Sequence, residues 1–243
     1  MSGHSKWSNI KRKKGKSDEQ KGKIFTKLGR ELAIAVKEGG ADPAANTKLN
    51  DVIAKAKAAN MPNDSIMRSI KKAAGDINSE SFEEISYEGY GPGGIAIIIE
   101  AMTDNRNRTA GDIRHFFDKF GGNLGQNGCV SFMFDKKGVL LIERTDDIDE
   151  DELMMEAIEA GAEDFSGEEE YFEILTEQAA FSEIRKVLEK KGYEFIEAEV
   201  QMVPQTSTKL TDPKHVEQMN RLIENLEDLD DVQNVYHNWE EDE

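Results

Sequence analysis

A group of cations and one aromatic residue at the start of the chain could bind the phosphates and bases of a nucleic acid. The first 16 residues contain six Lys/Arg and no acidic residue. Cations neutralise phosphates and release counterions, and an indole ring can stack on an unpaired base. A basic run can also be a solvated tail that improves solubility, but the aromatic ring and the basic helix that follows favour nucleic-acid binding. The candidate contacts in this arm are Lys6, Trp7, Lys11, Arg12, Lys13, Lys14 and Lys16.

The net charge changes sign along the chain. Residues 1 to 75 contain 17 Lys/Arg against 7 Asp/Glu, a balance of +10, whereas residues 76 to 243 contain 14 against 42, a balance of −28. A polyanion is attracted to the first part and repelled by the second, so this pattern predicts the docking face as well as the class of partner. Further candidate contacts on the first predicted helix are Lys21, Lys23, Lys27 and Arg30.

A second candidate phosphate site lies in the segment Thr103 to Thr109, within the acidic part of the chain. This segment places Arg106 and Arg108 between a predicted strand and a predicted helix. Arginine pairs and the amino terminus of a helix both bind phosphate. In the other interpretation, polar residues of the segment cap the helix and the arginines pair with nearby carboxylates. The local sequence favours neither interpretation over the other.

No arrangement of residues predicts catalysis or metal binding. The glycine-rich stretch Gly89 to Gly94 precedes a strand instead of opening a helix, which indicates a bend and not a phosphate-binding loop. The four histidines are scattered, and none has a second ligand at metal spacing. Cys129 precedes apolar residues, which indicates a packed thiol and not a nucleophile. We therefore expect no enzymatic activity, no cofactor, no metal and no small-molecule substrate.

The composition predicts a soluble, cytoplasmic protein. Of the 243 residues, 37% are hydrophobic and 33% are charged, and the apolar residues fall in periodic blocks that disordered chains lack. The longest aliphatic run, Ile95 to Ile99, is too short to cross a membrane, and the amino terminus lacks the apolar stretch of a secretory signal. The single Cys129 cannot form an internal disulfide and suits a reducing compartment.

The elements that position the candidate residues fall into two groups. Residues 17 to 75 predict three helices, because apolar residues recur at helical spacing between glycine and proline breaks. Residues 76 to 86 are typical of a linker. The remainder mixes helices and strands, including an expected strand at Cys129 to Phe134 and an expected helix beginning at Asp112. Between Val139 and Val203 the order strand, helix, strand, strand, helix, strand is that of a ferredoxin-like domain.

These patterns predict an α+β multidomain protein, with an amino-terminal helical bundle and two α+β domains. One α+β domain is ferredoxin-like and inserted in the other. The expected limits are 1–20 for a basic flexible arm, 21–79 for the bundle, 80–134 and 205–243 for the α+β domain, and 135–204 for the inserted ferredoxin-like domain.

Five motifs follow one another along the chain: Gly3 to Lys11, Lys21 to Lys27, Tyr87 to Gly94, Thr103 to Thr109 and Gly121 to Gly125. In this order they resemble the YebC/PmpR family, which includes the mitochondrial translational activator of cytochrome oxidase. The resemblance covers essentially the whole chain, with small departures such as Phe132 where a tryptophan is common. It implies the same three domains that the periodicity predicts.

The resemblance also implies a regulatory role, with two possible partners. Family members have been described as transcriptional regulators that bind promoter DNA, and as ribosomal translation factors that relieve stalling, notably on proline-rich stretches. A lysine-rich arm with one Trp and no helix-turn-helix or zinc finger favours irregular RNA, although a basic arm can also enter a DNA minor groove. We therefore expect a non-enzymatic factor that contacts ribosomal RNA on the ribosome, with a DNA-binding transcriptional regulator as the alternative.

Overall fold

The structure is a computed structural model that describes residues 18–75 and 82–241. Its first part is a bundle of three helices: α1 (Asp18–Gly39), α2 (Thr47–Ala58) and α3 (Asn63–Gly75). Their apolar faces meet in one core. The buried side chain of Asn46 fixes the turn between α1 and α2, because its amide donates to one carbonyl of α1 and one of the turn, and its oxygen caps α2. The three helices predicted for the bundle are confirmed.

The second part is an antiparallel sheet in the order β3-β1-β2-β9. Helices α4 (Arg106–Lys119) and α7 (Pro213–Asp228) cover one face of it. Strand β2 is buried on both faces, which explains its unbroken aliphatic run. It pairs with β9, which follows the ferredoxin-like part in sequence. The strands are β1 (Glu83–Tyr90), β2 (Ala96–Thr103), β3 (Asn123–Leu124) and β9 (Val232–His237).

The third part consists of four antiparallel strands in the order β5-β6-β4-β7, which is the ferredoxin-like order. Helices α5 (Glu150–Glu159) and α6 (Phe181–Lys191) pack on one face. Short strands β8 (Thr208–Lys209) and β10 (Trp239–Glu240) pair beside the second part. The four long-sheet strands are β4 (Phe134–Glu143), β5 (Asp164–Gly167), β6 (Tyr171–Glu177) and β7 (Glu197–Pro204).

The predicted fold class is confirmed: the protein is α+β, with a helical bundle and a ferredoxin-like domain inserted in a second α+β domain. The residue limits that we assign to the four parts stay a prediction. The two α+β domains share a small core, in which Ala96 and Ile98 of β2 pack against Val130 and Phe134. Because β2 and β4 both contribute to it, the inserted domain is packed directly on its host.

Three predictions about individual elements were wrong. Strand β1 begins at Glu83, inside the expected linker. Its polar outer residues resemble a linker, although Ile85 and Tyr87 pack against the core. The expected strand at Cys129 is a turn, and β4 begins at Phe134 instead of Val139 with Lys-Lys-Gly in its middle. Helix α4 begins at Arg106, six residues before the expected start, because Asn105 caps it.

Candidate nucleic-acid interface

Three basic residues of helix α1 face the second domain. They bind the carboxyl-terminal end of α7 and the residues just after it, where unpaired carbonyls attract cations. These contacts hold the bundle on the second domain. The three cations, which the sequence predicted to bind phosphates, are therefore paired within the chain. The pairs are Lys23 with the Asp228 carboxylate, Lys27 Nζ with the Glu227 carbonyl at 2.6 Å, and Arg30 Nη1 with the Asp230 carbonyl at 2.6 Å.

The carboxylate of Asp231 accepts hydrogen bonds from two arginines and two threonines. Its Oδ1 accepts a hydrogen bond from Arg30 Nη1 at 2.8 Å, and its Oδ2 accepts from Arg108 Nη2 at 2.9 Å. The hydroxyls of Thr109 and Thr103 also donate to Oδ2, at 2.7 and 3.1 Å. Burial by itself would raise the pKa of Asp231, but the hydrogen bonds from Arg108, Thr109 and Arg30 outweigh it and lower the pKa. A carboxylate of the chain thus binds the cations beside the amino terminus of α4.

The two interpretations of the segment 103–109 apply to different arginines. Asn105 caps α4 by accepting a hydrogen bond from the Arg108 backbone N–H at 3.1 Å, and the Arg108 side chain binds Asp104 at 2.7 Å as well as the carboxylate above. Arg106 is 60% exposed, and its ion pair with Glu83 is 3.6 Å long. Exposed pairs of this kind contribute about 1 kcal/mol or less. Arg108 is therefore held by carboxylates, whereas Arg106 can reach a phosphate.

Helix α3 carries three solvent-facing cations of the bundle on one face. Arg68, Lys71 and Lys72 are exposed and share one helix face, and none has an ion-pair partner in residues 18–75 or 82–241. We name these three residues the α3 cation surface. Met67 lies on the same helix and is 62% exposed. These three residues are not among the contacts expected from the sequence, although the amphipathic pattern of α3 places them on its polar face.

The connection between α2 and α3 is as short as the turn of a helix-turn-helix, a motif that the sequence pattern did not indicate. Only residues 59–62 separate the two helices. Asn60 adopts a left-handed conformation, with φ of 58°, and the Met61 N–H donates to the Ala56 carbonyl. The second helix of this pair, α3, exposes the α3 cation surface. In helix-turn-helix proteins the second helix is the one that reads the DNA major groove.

One lysine of the bundle is not a surface residue. Lys55 of α2 binds the carboxylates of Glu31 in α1, at 3.0 Å, and Glu199 in β7, at 2.7 Å. Burial raises the pKa of Glu31, and the opposing attraction of Lys55 is too weak to offset it. For Lys55 burial would lower the pKa, but the two carboxylates outweigh burial and raise it. This trio joins the bundle to the ferredoxin-like domain and is not open to phosphate.

The arm candidates Lys6, Trp7, Lys11 to Lys14 and Lys16 lie outside the residues that the structure describes. Lys21 lies near the beginning of α1, beside a cleft between the three domains. Among the described residues, no group of three or more His, Cys, Asp and Glu side chains could hold a metal ion. None of the helices described is long and apolar enough to cross a membrane.

Cys129 lies against the shared core of the two α+β domains, partly buried. Burial and the nearby Glu88 carboxylate raise the pKa of its thiol, which opposes formation of a nucleophilic thiolate. This environment agrees with the packed thiol that the sequence indicated. Phe132, three residues further on, is by contrast 69% exposed.

These features define a three-domain α+β protein in which a cationic helical bundle is docked on two acidic domains. The chain belongs to the TACO1/YebC family. The family model described as the TACO1/YebC protein N-terminal domain matches residues 5–76, and the model described as the TACO1/YebC second and third domain matches residues 82–239. The resemblance stated from the sequence motifs is thereby confirmed.

Relatives with curated names cover nearly the whole chain. A protein of Acetivibrio thermocellus is 72% identical over 98% of this chain and 99% of its own length, and one of Ruminiclostridium cellulolyticum is 67% identical over 100% and 98%. Both carry the name "Probable transcriptional regulatory protein". The crystal structure of a conserved hypothetical protein from Aquifex aeolicus is 44% identical, with a TM-score of 0.84 over 93% of this chain and 92% of its own.

Proposed function

We propose that this chain is a non-enzymatic, cytoplasmic regulatory factor that binds nucleic acid through its amino-terminal part and acts on the ribosome. The observation that carries the proposal is the separation of charge, with +10 in residues 1 to 75 against −28 in the remainder. Because the acidic domains repel phosphates, they confine a nucleic acid to the arm and to the exposed side of the bundle. The names of the curated relatives support a regulatory role.

The proposed contacts divide into those that bind phosphate and those that orient the bundle. Lys23, Lys27 and Arg30 hold the bundle against the end of α7, so they set the direction in which the cations face. Arg108 of α4 binds the same Asp231 carboxylate as Arg30. Arg106 adds a separate contact at the start of α4. The proposed direct contacts are Lys6, Trp7, Lys11, Arg12, Lys13, Lys14, Lys16, Lys21 and Arg106, together with the α3 cation surface.

Ribosomal RNA is the partner that we favour. A lysine-rich arm with one Trp can follow an irregular backbone and stack on an unpaired base, which a regular duplex does not offer. The factor performs no chemistry itself in this proposal. It binds beside the catalytic centre of the ribosome and favours a productive arrangement there, which relieves stalling on proline-rich stretches.

Duplex DNA is the second candidate, and two observations favour it. Helices α2 and α3 are joined by residues 59–62 alone, and the second helix exposes Arg68, Lys71 and Lys72. Curated relatives are named probable transcriptional regulatory proteins. In this alternative α3 lies in a major groove and the arm follows the backbone or enters a minor groove.

The experiment compares co-sedimentation with ribosomes and binding to duplex DNA across a salt series. Three proteins are tested beside the wild type: a chain lacking residues 1–16, the variant Arg68→Gln/Lys71→Gln/Lys72→Gln, and the control Lys136→Gln/Lys190→Gln/Lys214→Gln. The control removes three exposed lysines from the acidic domains, so it changes the net charge by the same amount as the α3 variant does.

Saturable ribosome binding at about 0.15 M salt that needs the arm, with DNA binding that fades steeply as salt rises, would support the translation factor. A site-specific DNA complex that survives this salt, beside weak ribosome binding, would overturn it in favour of the DNA regulator. If the control weakens binding as much as the α3 variant does, net charge alone explains the loss and α3 is not a contact.

A further inference from the structure

A cleft of about 1360 Å³ lies where the three domains meet. Its walls come from α1 and α2 of the bundle, from the ferredoxin-like domain around β7, and from β9 and β10 of the second domain. Ligand sites occur preferentially at such domain junctions. We infer that this cleft binds an extended, lysine- and arginine-rich segment of a partner protein, which goes beyond the nucleic-acid contacts proposed above.

The first argument is the charge of the walls. Ten carboxylates and four lysines line the cleft. Two of the lysines already bind carboxylates of the cleft, since Lys55 pairs with Glu31 and Glu199, and Lys191 pairs with Glu156 at 2.6 Å. Concave walls of one sign concentrate the opposite charge, so this cleft repels nucleic acid and attracts cations. The carboxylates are Glu31, Glu143, Asp147, Glu152, Glu156, Glu194, Glu197, Glu199, Glu227 and Glu240.

The second argument is that the same walls are partly apolar. Phe25 of α1 and Tyr193 and Phe195 after α6 line the cleft and are partly exposed. Lys and Arg side chains bury their aliphatic stems on such surfaces and place their charged ends in water or over a ring. An inorganic cation or a small polyamine uses the carboxylates alone, whereas a peptide with long basic side chains uses both features.

The third argument is an unpaired amide. Gln233 is the additional residue of a bulge in β9, because Val232 pairs with Ala101 and Asn234 pairs with Glu100. It lines the cleft, and its Nε2 and Oε1 are buried with no hydrogen-bond partner among the described residues. A buried amide without partners is costly, so rotation of this partly exposed side chain toward a donor and an acceptor in the cleft is favourable. The backbone of an extended segment offers one N–H and one C=O per residue.

The test is fluorescence anisotropy on the full chain with a labelled peptide of alternating Lys and Ala, about eight residues or roughly 26 Å long when extended. A matched peptide of alternating Glu and Ala is the negative probe. The cleft variant is Asp147→Asn/Glu152→Gln/Glu194→Gln, whose three residues are exposed on the wall formed by the ferredoxin-like domain. The control variant Glu159→Gln/Glu168→Gln/Glu169→Gln removes the same charge from that domain outside the cleft.

We expect saturable binding of the basic peptide at about 0.15 M salt, about tenfold weaker in the cleft variant and within about twofold of wild type in the control. Gln233→Leu should also weaken binding several-fold, while its melting temperature stays equal or rises because the unpaired amide is gone. The Gln233→Leu variant therefore distinguishes loss of a peptide contact from loss of the folded structure.

Equal losses in the cleft and control variants, or no saturable binding, would overturn the inference. An affinity that rises tenfold when residues 1–16 are deleted, and rises only while the cleft carboxylates are intact, would also overturn it. That result would assign the cleft to the basic arm of the chain itself.

Discussion

Arg30 Nη1 donates a hydrogen bond to Asp231 Oδ1 at 2.8 Å, which joins the helical bundle to the residue just before β9. The other oxygen of the same carboxylate accepts from Arg108 and Thr109 at the start of α4. Three segments that are distant in sequence therefore meet at one carboxylate. Both side chains of the first pair are mostly buried, at 16% and 11% exposure, so solvent screens the pair weakly. This contact orients the cations of the bundle relative to the acidic domains.

We expect Asp231→Ala to lower the free energy of unfolding by about 3 kcal/mol, because it leaves two arginines at a partly buried site without their shared anion. Urea unfolding at neutral pH measures this loss, and hydrogen exchange should show faster exchange in α1. The control is Asp230→Ala, which removes an exposed carboxylate next to it and leaves the carbonyl that Arg30 uses. An equal effect of the two substitutions would contradict the role of the Asp231 carboxylate.

Arg106 and Arg108 should respond differently to replacement by alanine. Arg108→Ala removes hydrogen bonds to two carboxylates, one of them mostly buried, and should lower the melting temperature measurably. Arg106→Ala removes one long surface pair and should change stability by less than about 0.5 kcal/mol, but it should weaken nucleic-acid binding and reduce the salt slope by about 1. Thermal unfolding and binding titrations across a salt series measure the two effects. A stability loss from Arg106→Ala as large as that from Arg108→Ala would refute the distinction.

The fold could be predicted from the sequence wherever one face of an element is buried. Helical spacing in the bundle and the strand-helix order of the ferredoxin-like domain are local signals, and both predictions hold. Strand β1 was missed because its inward residues Ile85 and Tyr87 alternate with Glu84 and Ser86 and follow Glu83, so that the segment resembles a linker. The middle of β4 was missed for a similar reason, since Lys137 and Gly138 pair with strands on both sides and Lys136 with one strand, despite their polarity.

The candidate site could be predicted in its residue types but not in its geometry. The sequence identifies Arg30 and Arg108 as cations, but their shared partner Asp231 follows them by 201 and 123 residues. Ion pairs over such separations depend on tertiary packing, which no local pattern encodes. For the same reason the cations on α1 could not be distinguished from those on α3. The docking of α1 against α7 pairs the cations of α1 with groups of the second domain and leaves those of α3 exposed.

Glu88 should control the order of the loop after β3. Its buried carboxylate accepts hydrogen bonds from the backbone N–H groups of Gly128, Val130 and Ser131 at 2.8 to 2.9 Å. We expect Glu88→Gln to cost about 2 kcal/mol, because the amide offers one acceptor and turns a donor toward N–H groups. Thermal unfolding at neutral pH measures this loss. Exposed Glu84→Gln is the control, since its surface pair with Lys48 contributes little.

The same carboxyl group predicts a dependence on pH. Burial would raise the pKa of Glu88, but the backbone hydrogen bonds outweigh it and lower the pKa. A group with a lowered pKa in the folded state stabilises the protein above its unfolded pKa, and this stabilisation is lost as the pH falls through the folded value. The stability difference between wild type and Glu88→Gln should therefore shrink as the pH falls below about 4. A constant difference down to pH 3 would contradict this assignment.

Lys55→Met should destabilise the junction between the bundle and the ferredoxin-like domain. Removing the cation leaves Glu31 and Glu199, each 12% exposed, without their shared partner, which should cost about 3 kcal/mol at pH 8. Burial already raises the pKa of Glu31, and loss of the lysine should raise it further. A raised folded pKa means that the folded state binds the proton more tightly, so the deficit should shrink as the pH falls from 8 to 5. Urea unfolding across this range measures the trend, with exposed Lys57→Met on the same helix as the control. Adding Glu31→Gln to Lys55→Met should recover part of the lost stability at pH 8 and remove most of the pH dependence. If the Lys55→Met deficit is instead the same at pH 8 and pH 5, lost packing causes the destabilisation and the unpaired carboxylates do not.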